Sequence, residues 1–349
     1  MIGQLGNFSF SYACNLLFLL FFVNFRLWTI VKGANGWSDS AIHPSHVLSG
    51  VHQSRIFRSL FLNDSVLVTG GEDSAVAFWN TGTGQSLGKY KANNGPIWSL
   101  ARLSEKQVIS GSGNGTVKFS QCPANDLVQN VWLGDLINKG DCPRIVKYWK
   151  EKILVLTVEG NLICVNEAWT KPTLILHDQD LANYALMHLS EDILYFATIN
   201  GQIKWLQLQN PIANLPSENI CNTKIFALTV LPASKRIVVC LQDGKIQVFN
   251  HCLKSDKLQR TRQLVLPYTK DQRWFSSIDE LPNHLVVGDR CGFLHVFNDS
   301  DELPVFTIKA HGKHGVGFVK VNTRNSIIFT LDSLIQTHYF LRFLVRTRF

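Results

Sequence analysis

A repeat narrows most sharply what this chain can fold into. His52-Gln53-Ser54-Arg55-Ile56-Phe57 superimposes on Asn93-Asn94-Gly95-Pro96-Ile97-Trp98. The match runs on without a gap, so that the stretch from Leu67 to Trp79 falls on that from Val108 to Ser120 at the same shift of 41 residues. Weaker copies follow, each an apolar strand, a tight turn and a second apolar strand. They run from Ile153 to Thr157 turning at Gly160, Ile193 to Ala197 at Asn200-Gly201, Ile237 to Leu241 at Asp243-Gly244, Leu285 to Gly288 at Gly292, and Ile327 to Thr330 near Ser333. With the turns placed at 74, 115, 160, 201, 244, 292 and 333, the steps are 41, 45, 41, 43, 48 and 41 residues.

The turns have a mechanism. Asn-Gly and Asp-Gly favour the positive φ that lets a tight hairpin twist with its strands. The flanking strands alternate or are apolar throughout, as in sheets covered on both faces. No stretch carries a helical period with caps. A single hairpin unit of this kind cannot bury its own faces, whereas units stacked in a ring cover one another. The period therefore predicts an all-β propeller of about seven four-stranded blades. With 46% hydrophobic residues, rich in Val, Ile and Phe, the chain can fill such a core.

The best repeat resembles the WD-repeat family. His52, Thr69, Asp73 and Trp79 stand where that family has its structural hydrogen-bonded tetrad. The resemblance implies that Asp73 accepts from His52, which connects in turn to Thr69 and the Trp79 indole. A hydrolytic triad is the weaker reading, because the set matches a buried structural network. The next unit departs from the pattern with Asn93, Asn114 and Ser120, so its tetrad is expected to be weak.

Longer strings are more specific. Ser49 to Phe57, Leu266-Pro267-Tyr268-Thr269-Lys270-Asp271-Gln272-Arg273-Trp274, Leu285 to Gly292 and His311-Gly312-Lys313-His314-Gly315-Val316 occur in this order. In that order they resemble the WD-repeat regulator subunits of tRNA 2′-O-methyltransferases, over residues from about 25 to 321. Those regulators are longer and hold more than one propeller. The resemblance therefore implies an internal stretch, its ring incomplete or split between two propellers. Residues 1–31 would form an apolar segment ending in a partial blade, and 32–349 the propeller region. The function implied is a non-catalytic scaffold that binds the methyltransferase and presents tRNA for ribose methylation at the anticodon wobble position, with tRNA and the enzyme as partners. The alternative is a general protein-interaction scaffold with no role in RNA.

Charge agrees with an acidic partner. The chain carries +8 at neutral pH, with its cations scattered. Arg260, Arg262, Lys270, Arg273 and Trp274 mix cations with one aromatic and are candidate contacts to tRNA or a partner, as is Lys313. A solvated loop with Trp274 packed on the next blade is the stronger structural reading, and Asp289 and Arg290 most simply pair locally. Gly111-Ser112-Gly113-Asn114-Gly115 joins two strands and opens no helix, so it reads as a hairpin and not as a phosphate loop. No nucleotide, zinc-protease or paired-carboxylate motif is present, and no enzyme activity, cofactor or metal is expected. The eight cysteines form no C-x-x-C pair and read as reduced core thiols of a cytoplasmic protein. The apolar run from Tyr12 to Val23 is too short for a membrane span. It reads as a signal or anchor, a buried closing strand, or the truncated start of a longer chain.

Overall fold

The structure is a computed structural model that describes residues 25–29 and 46–332, apart from 92–93, 123–126, 135, 167–171, 184, 212–213, 232–233, 266–274, 282–283, 299, 312–315 and 323–326. The apolar run at 12–23 and the seventh turn near 333 lie outside the described residues.

Twenty-eight strands, numbered in chain order, form seven four-stranded antiparallel sheets. Six are meanders of consecutive strands: blades 1 to 6, over residues 56–91, 97–132, 143–177, 186–219, 225–265 and 275–309. Their inner strands are β3 (Ile56–Asn63), β7 (Ile97–Arg102), β11 (Pro143–Trp149), β15 (Leu186–Ser190), β19 (Ile225–Val230) and β23 (Phe275–Leu281). Blade 7 is assembled from both ends of the described chain. Its order is β2 (His46–Leu48), β1 (Phe25–Thr29), β28 (Ile327–Asp332) and β27 (Val316–Asn322). β1 runs antiparallel to β28 from the pair Phe25–Leu331 to the pair Thr29–Ile327. Each inner strand packs beside that of the next blade, and β27 packs beside β3, which closes the ring. One three-residue 3₁₀ turn, Gln179–Leu181, is the only helical element among the described residues.

Burial follows this radial arrangement. In blade 1, β4 (Val66–Gly71) is buried along its whole length and β5 (Ala75–Asn80) nearly so, whereas the outer strand β6 (Ser86–Lys91) has no buried residue. Each apolar cluster straddles two blades. Val68, Val76 and Phe78 of blade 1 meet Ile97 and Val108 of blade 2. Leu48 of β2 meets Ile56, Leu67, Ala77 and Trp79 of blade 1. A sheet with two such faces gains most of its stability from its neighbours.

The expected turn positions share one backbone feature. Residues 74, 115, 160, 201, 244 and 292 all have positive φ, between 62° and 86°. Five are glycine; Ser74 adopts the left-handed conformation against its steric preference. A second glycine position sets how closely the blades approach. A Cβ on Gly70 would lie 2.6 Å from Ile97 Cγ2, and one on Gly288 would lie 2.5 Å from Val316 Cγ1. Both residues sit near the inner end of a blade's second strand, where the following blade presses a β-branched side chain onto the backbone. Polar groups also bridge the blades: Val146 N donates to the buried Ser99 Oγ at 2.7 Å, and Val319 N donates to Ser277 Oγ at 3.0 Å.

Among the described residues the seven cysteines are free thiols, with Cys142 and Cys240 buried and Cys252 exposed. No helix among these residues is long and apolar enough to cross a membrane.

The Gly288–Val316 contact lies between blades 6 and 7. Gly288→Leu is expected to destabilise the protein by about 1–3 kcal/mol through overpacking. Urea unfolding checks this; a variant with the wild-type midpoint would show that the two blades do not meet as closely as described.

Candidate interaction face at the mouth of the propeller

The tetrad residues come together in blade 1. His52 precedes β3, Thr69 lies on β4, Asp73 lies in the turn and Trp79 lies on β5. His52 Nδ1 is 3.0 Å from Asp73 Oδ1, and His52 Nε2 is 2.8 Å from Thr69 Oγ1. The Trp79 indole N–H donates to Thr69 Oγ1 at 2.8 Å. A carboxylate only accepts, so the Nδ1–H donates to Asp73, Nε2 accepts from the Thr69 hydroxyl, and that hydroxyl accepts from Trp79. Every polar atom along the string has one direction. Asp73 Oδ2 also accepts from Gln53 N and Lys89 Nζ, each at 3.0 Å. Burial alone would raise the Asp73 pKa; the hydrogen bonds from His52, Gln53 and Lys89 outweigh it and hold the carboxyl well below its usual range.

Other blades replace this string with different polar groups. In blade 2, Asn114 Oδ1 accepts from the Thr116 hydroxyl at 2.6 Å, while Asn93 lies outside the described residues. Blade 3 uses Asp141, which accepts from Asn161 Nδ2 at 3.0 Å, with His177 Nδ1 2.9 Å from Asn161 Oδ1. Blade 4 buries Lys204 against Asp178 and Asp180, at 2.8 and 2.6 Å. In blade 6 the fully buried Asp289 accepts from Phe293 N at 2.8 Å and meets His295 Nε2 at 3.2 Å, so its carboxylate turns inward as part of the blade's core. In blade 7, buried His311 Nε2 lies 3.0 Å from Thr330 Oγ1, the contact that His52 makes with Thr69. Trp28 of β1 stands opposite Ile328, as Trp79 stands opposite Leu67. The register position of the signature tryptophan in blade 7 is thus filled from the other end of the described chain.

A further string, Tyr195 Oη to His251 Nδ1 at 2.8 Å and His251 Nε2 to Asp256 at 3.3 Å, has the outline of a base-activated nucleophile. Burial, Asp256 and Glu191 push the phenol up to about 12, so it stays protonated at neutral pH. The Trp205 indole donates to the same Asp256 carboxylate at 2.6 Å. The set ties blade 4 to blade 5.

Of the remaining sequence candidates, Arg260 and Arg262 are the two that the structure describes. Arg260 is exposed on β22 (Lys257–Val265), while Arg262 is half-buried and donates to the Asp301 carbonyl of blade 6. Lys270, Arg273, Trp274 and Lys313 lie outside the described residues.

The structure instead gathers aromatic and cationic groups where the inner strands begin. Phe57 of β3 stacks on Trp98 of β7, with ring centroids 4.6 Å apart and planes 16° apart. The Arg144 guanidinium of β11 lies 5.5 Å from the centroid of the same indole. Further round the ring, Lys224 Nζ lies 5.5 Å from the Phe226 ring centroid. Burial and Arg144 lower the pKa of Lys224, and the same two causes push Arg58 down to about 9. The mouth therefore holds several cations with flat rings beside them, a pairing suited to anionic and planar ligands. Its signal was present in the 41-residue repeat, which placed Phe57 on Trp98. The approach of Arg144 depends on the bulge in β11, which sequence spacing does not show.

No protein-family model matches the chain, and no curated protein is similar to it in sequence. Solved structures share its fold. The WD40 β-propeller domain of Doa1 superimposes with a TM-score of 0.62 at 13% identity, covering 89% of this chain and 98% of that one. The β-propeller domain of Cps50 (Swd1) from Myceliophteria thermophila gives 0.63 at 12% identity over 80% and 97%. The computationally designed Ika8 protein gives 0.60 at 16% identity over 88% and 96%. At such identities the likeness defines the fold alone: this is a WD40-type β-propeller with four-stranded blades.

Asp73→Ala is expected to cost roughly 1–3 kcal/mol by leaving buried donors unpaired; an unchanged melting curve would count against the tetrad. The pH dependence has a defined sign. The folded-state pKa of Asp73 lies below the unfolded value, so its contribution is full above about pH 4 and drains away as pH falls through the folded value. Asp73→Asn should flatten the stability profile below about pH 4, measured by urea unfolding across acidic pH.

Proposed function

We propose that this propeller is a non-catalytic scaffold that holds a tRNA 2′-O-methyltransferase and presents tRNA to it for ribose methylation at the anticodon wobble position. The reading rests first on the ordered strings at 266–274, 285–292 and 311–316, which resemble the regulators of such enzymes. The observation that carries the RNA half is the stack of Phe57, Trp98 and Arg144 at the channel mouth. An unpaired base of an anticodon loop stacks on such a surface, while neighbouring cations neutralise phosphates. Positioning alone accounts for large rate effects in a two-component reaction, on the order of 7–11 kcal/mol in favourable cases. The chain supplies that positioning, and the partner supplies the chemistry.

The test is tRNA binding across a salt series, with a methyltransferase pull-down alongside. Contact through several phosphates makes affinity fall steeply as salt rises. Trp98→Ala should lower affinity by roughly tenfold, the effect of losing one stacked base, and Lys270 and Arg273 replaced together should weaken binding without unfolding the protein. Absence of tRNA binding at low salt would sink the RNA reading and leave a scaffold that joins proteins only.

A further inference from the structure

The inner strands can be superimposed through their pairing with the second strands. Lys147 pairs with Leu154, His188 with Tyr195, Asp279 with Val286 and Lys320 with Phe329. These are one and the same register position in blades 3, 4, 6 and 7. The other three blades place Leu60, Ala101 and Thr229 there, none of which carries a charge. The propeller axis is therefore ringed at one level by two lysines, a histidine and one carboxylate. Arg58 lies two residues nearer the mouth on β3, about 7 Å along a strand.

These groups face one another across the ring, with one carboxylate among them. Lys320 Nζ lies 3.2 Å from Asp279 Oδ2, which also accepts from Val321 N at 2.9 Å. The sole carboxylate of this level is thus already engaged. No group among the described residues accepts a hydrogen bond from Lys147 Nζ. Arg58 Nη1 donates to the carbonyl of its own neighbour Phe57 at 2.7 Å. The side chains are not sealed off: Lys320 keeps 36% of its side-chain surface and Asp279 19%. The charges also sense each other from opposite blades. Burial, then Lys320 and Arg58, push the Lys147 ammonium down to about 8, with Asp279 opposing. Burial, then Lys147 and Lys320, hold His188 well below its ordinary value.

Like charges held together, with Lys147 given no acceptor and Asp279 already engaged, favour any anion that fits between them. A phosphate-bearing group suits lysine and arginine donors converging from several sides. We infer that the axial channel is a binding site for a compact, multiply charged phosphate anion, held between Lys147 and Lys320 with Arg58 at its upper end. The site is separate from the stacking surface at the mouth and does not require that surface to bind RNA.

Calorimetric titration of the full chain with tripolyphosphate at low ionic strength tests this, with inorganic phosphate and a poly-glutamate peptide run in parallel. Tripolyphosphate is expected to bind and to raise the melting temperature, and inorganic phosphate to bind more weakly. Lys147→Met should weaken tripolyphosphate at least tenfold while its ligand-free melting temperature stays level or rises, because an uncompensated charge is gone. Asp279→Asn should tighten binding severalfold, and it decides the matter alone if the first variant fails to fold. Trp98→Ala should bind tripolyphosphate like the wild type, which separates this site from the RNA reading. The inference is overturned if the wild type does not bind, if Lys147→Met binds equally, or if Asp279→Asn leaves affinity unchanged. Binding of the glutamate peptide without tripolyphosphate would overturn it in favour of an acidic protein segment.

Discussion

Everything in this structure depends on each sheet covering the face of the next. A four-stranded blade buried on both faces has no stable existence alone, and its apolar clusters are shared property: Val68 and Phe78 are buried only because Ile97 and Val108 lie against them. A row of such blades would leave two faces bare at its ends. The pairing of β1 with β28 removes them. It brings the first and last described strands into one sheet, seats Leu48 against Trp79, and joins His311 and Thr330 from one end to the register position of Trp28 from the other. The closing blade is thus the one whose strands are split in sequence, and it covers the faces that blades 1 and 6 would otherwise leave bare.

That split explains what could and could not be seen in the amino-acid sequence. Blade 1 was fully legible, because His52, Thr69, Asp73 and Trp79 fall within one stretch and each has a single chemical role. The six described turns were legible because their positive φ selects glycine, with Ser74 the one residue that reached it otherwise. Blades 3 and 4 were faint for a definite reason. Their polar cores use Asp141–Asn161–His177 and Lys204–Asp178–Asp180, which hold the strands by the same logic of satisfied buried groups but draw them from other positions relative to the turn than His52, Thr69, Asp73 and Trp79 occupy in blade 1. A buried network constrains its sum of donors and acceptors, and many combinations satisfy it.

The face at the mouth was half legible. The repeat aligned Phe57 with Trp98, yet nothing in it distinguished two stacked rings from two separate core aromatics. The distinction comes from the bulges on the inner strands, between Ile56 and Arg58, Ile97 and Ser99, and Pro143 and Ile145. Each bulge turns the strand's first residues away from the neighbouring sheet and towards the mouth. Of the basic segment, the two described cations differ: Arg262 donates to the Asp301 carbonyl between blades, and Arg260 stands exposed on the outer strand. Charge density along the chain is a poor guide in a propeller, since residues that meet in space come from different blades.

The inner level of Lys147, His188, Asp279 and Lys320 makes the same point in its strongest form. Its members are 41, 91 and 41 residues apart, and only the register of seven separate hairpins brings them to one height. For folding alone, a leucine or an alanine is the better choice at this position, as blades 1 and 2 show with Leu60 and Ala101. A lysine held near the axis with no hydrogen-bond acceptor among the described residues, its ammonium pushed down to about 8, costs stability that the one opposing carboxylate, Asp279, offsets only in part. The inner strands do not need that charge to pair, and the blades do not need it to pack. An anion bound along the axis, as inferred above, would supply the countercharge that the blades themselves give only through Asp279.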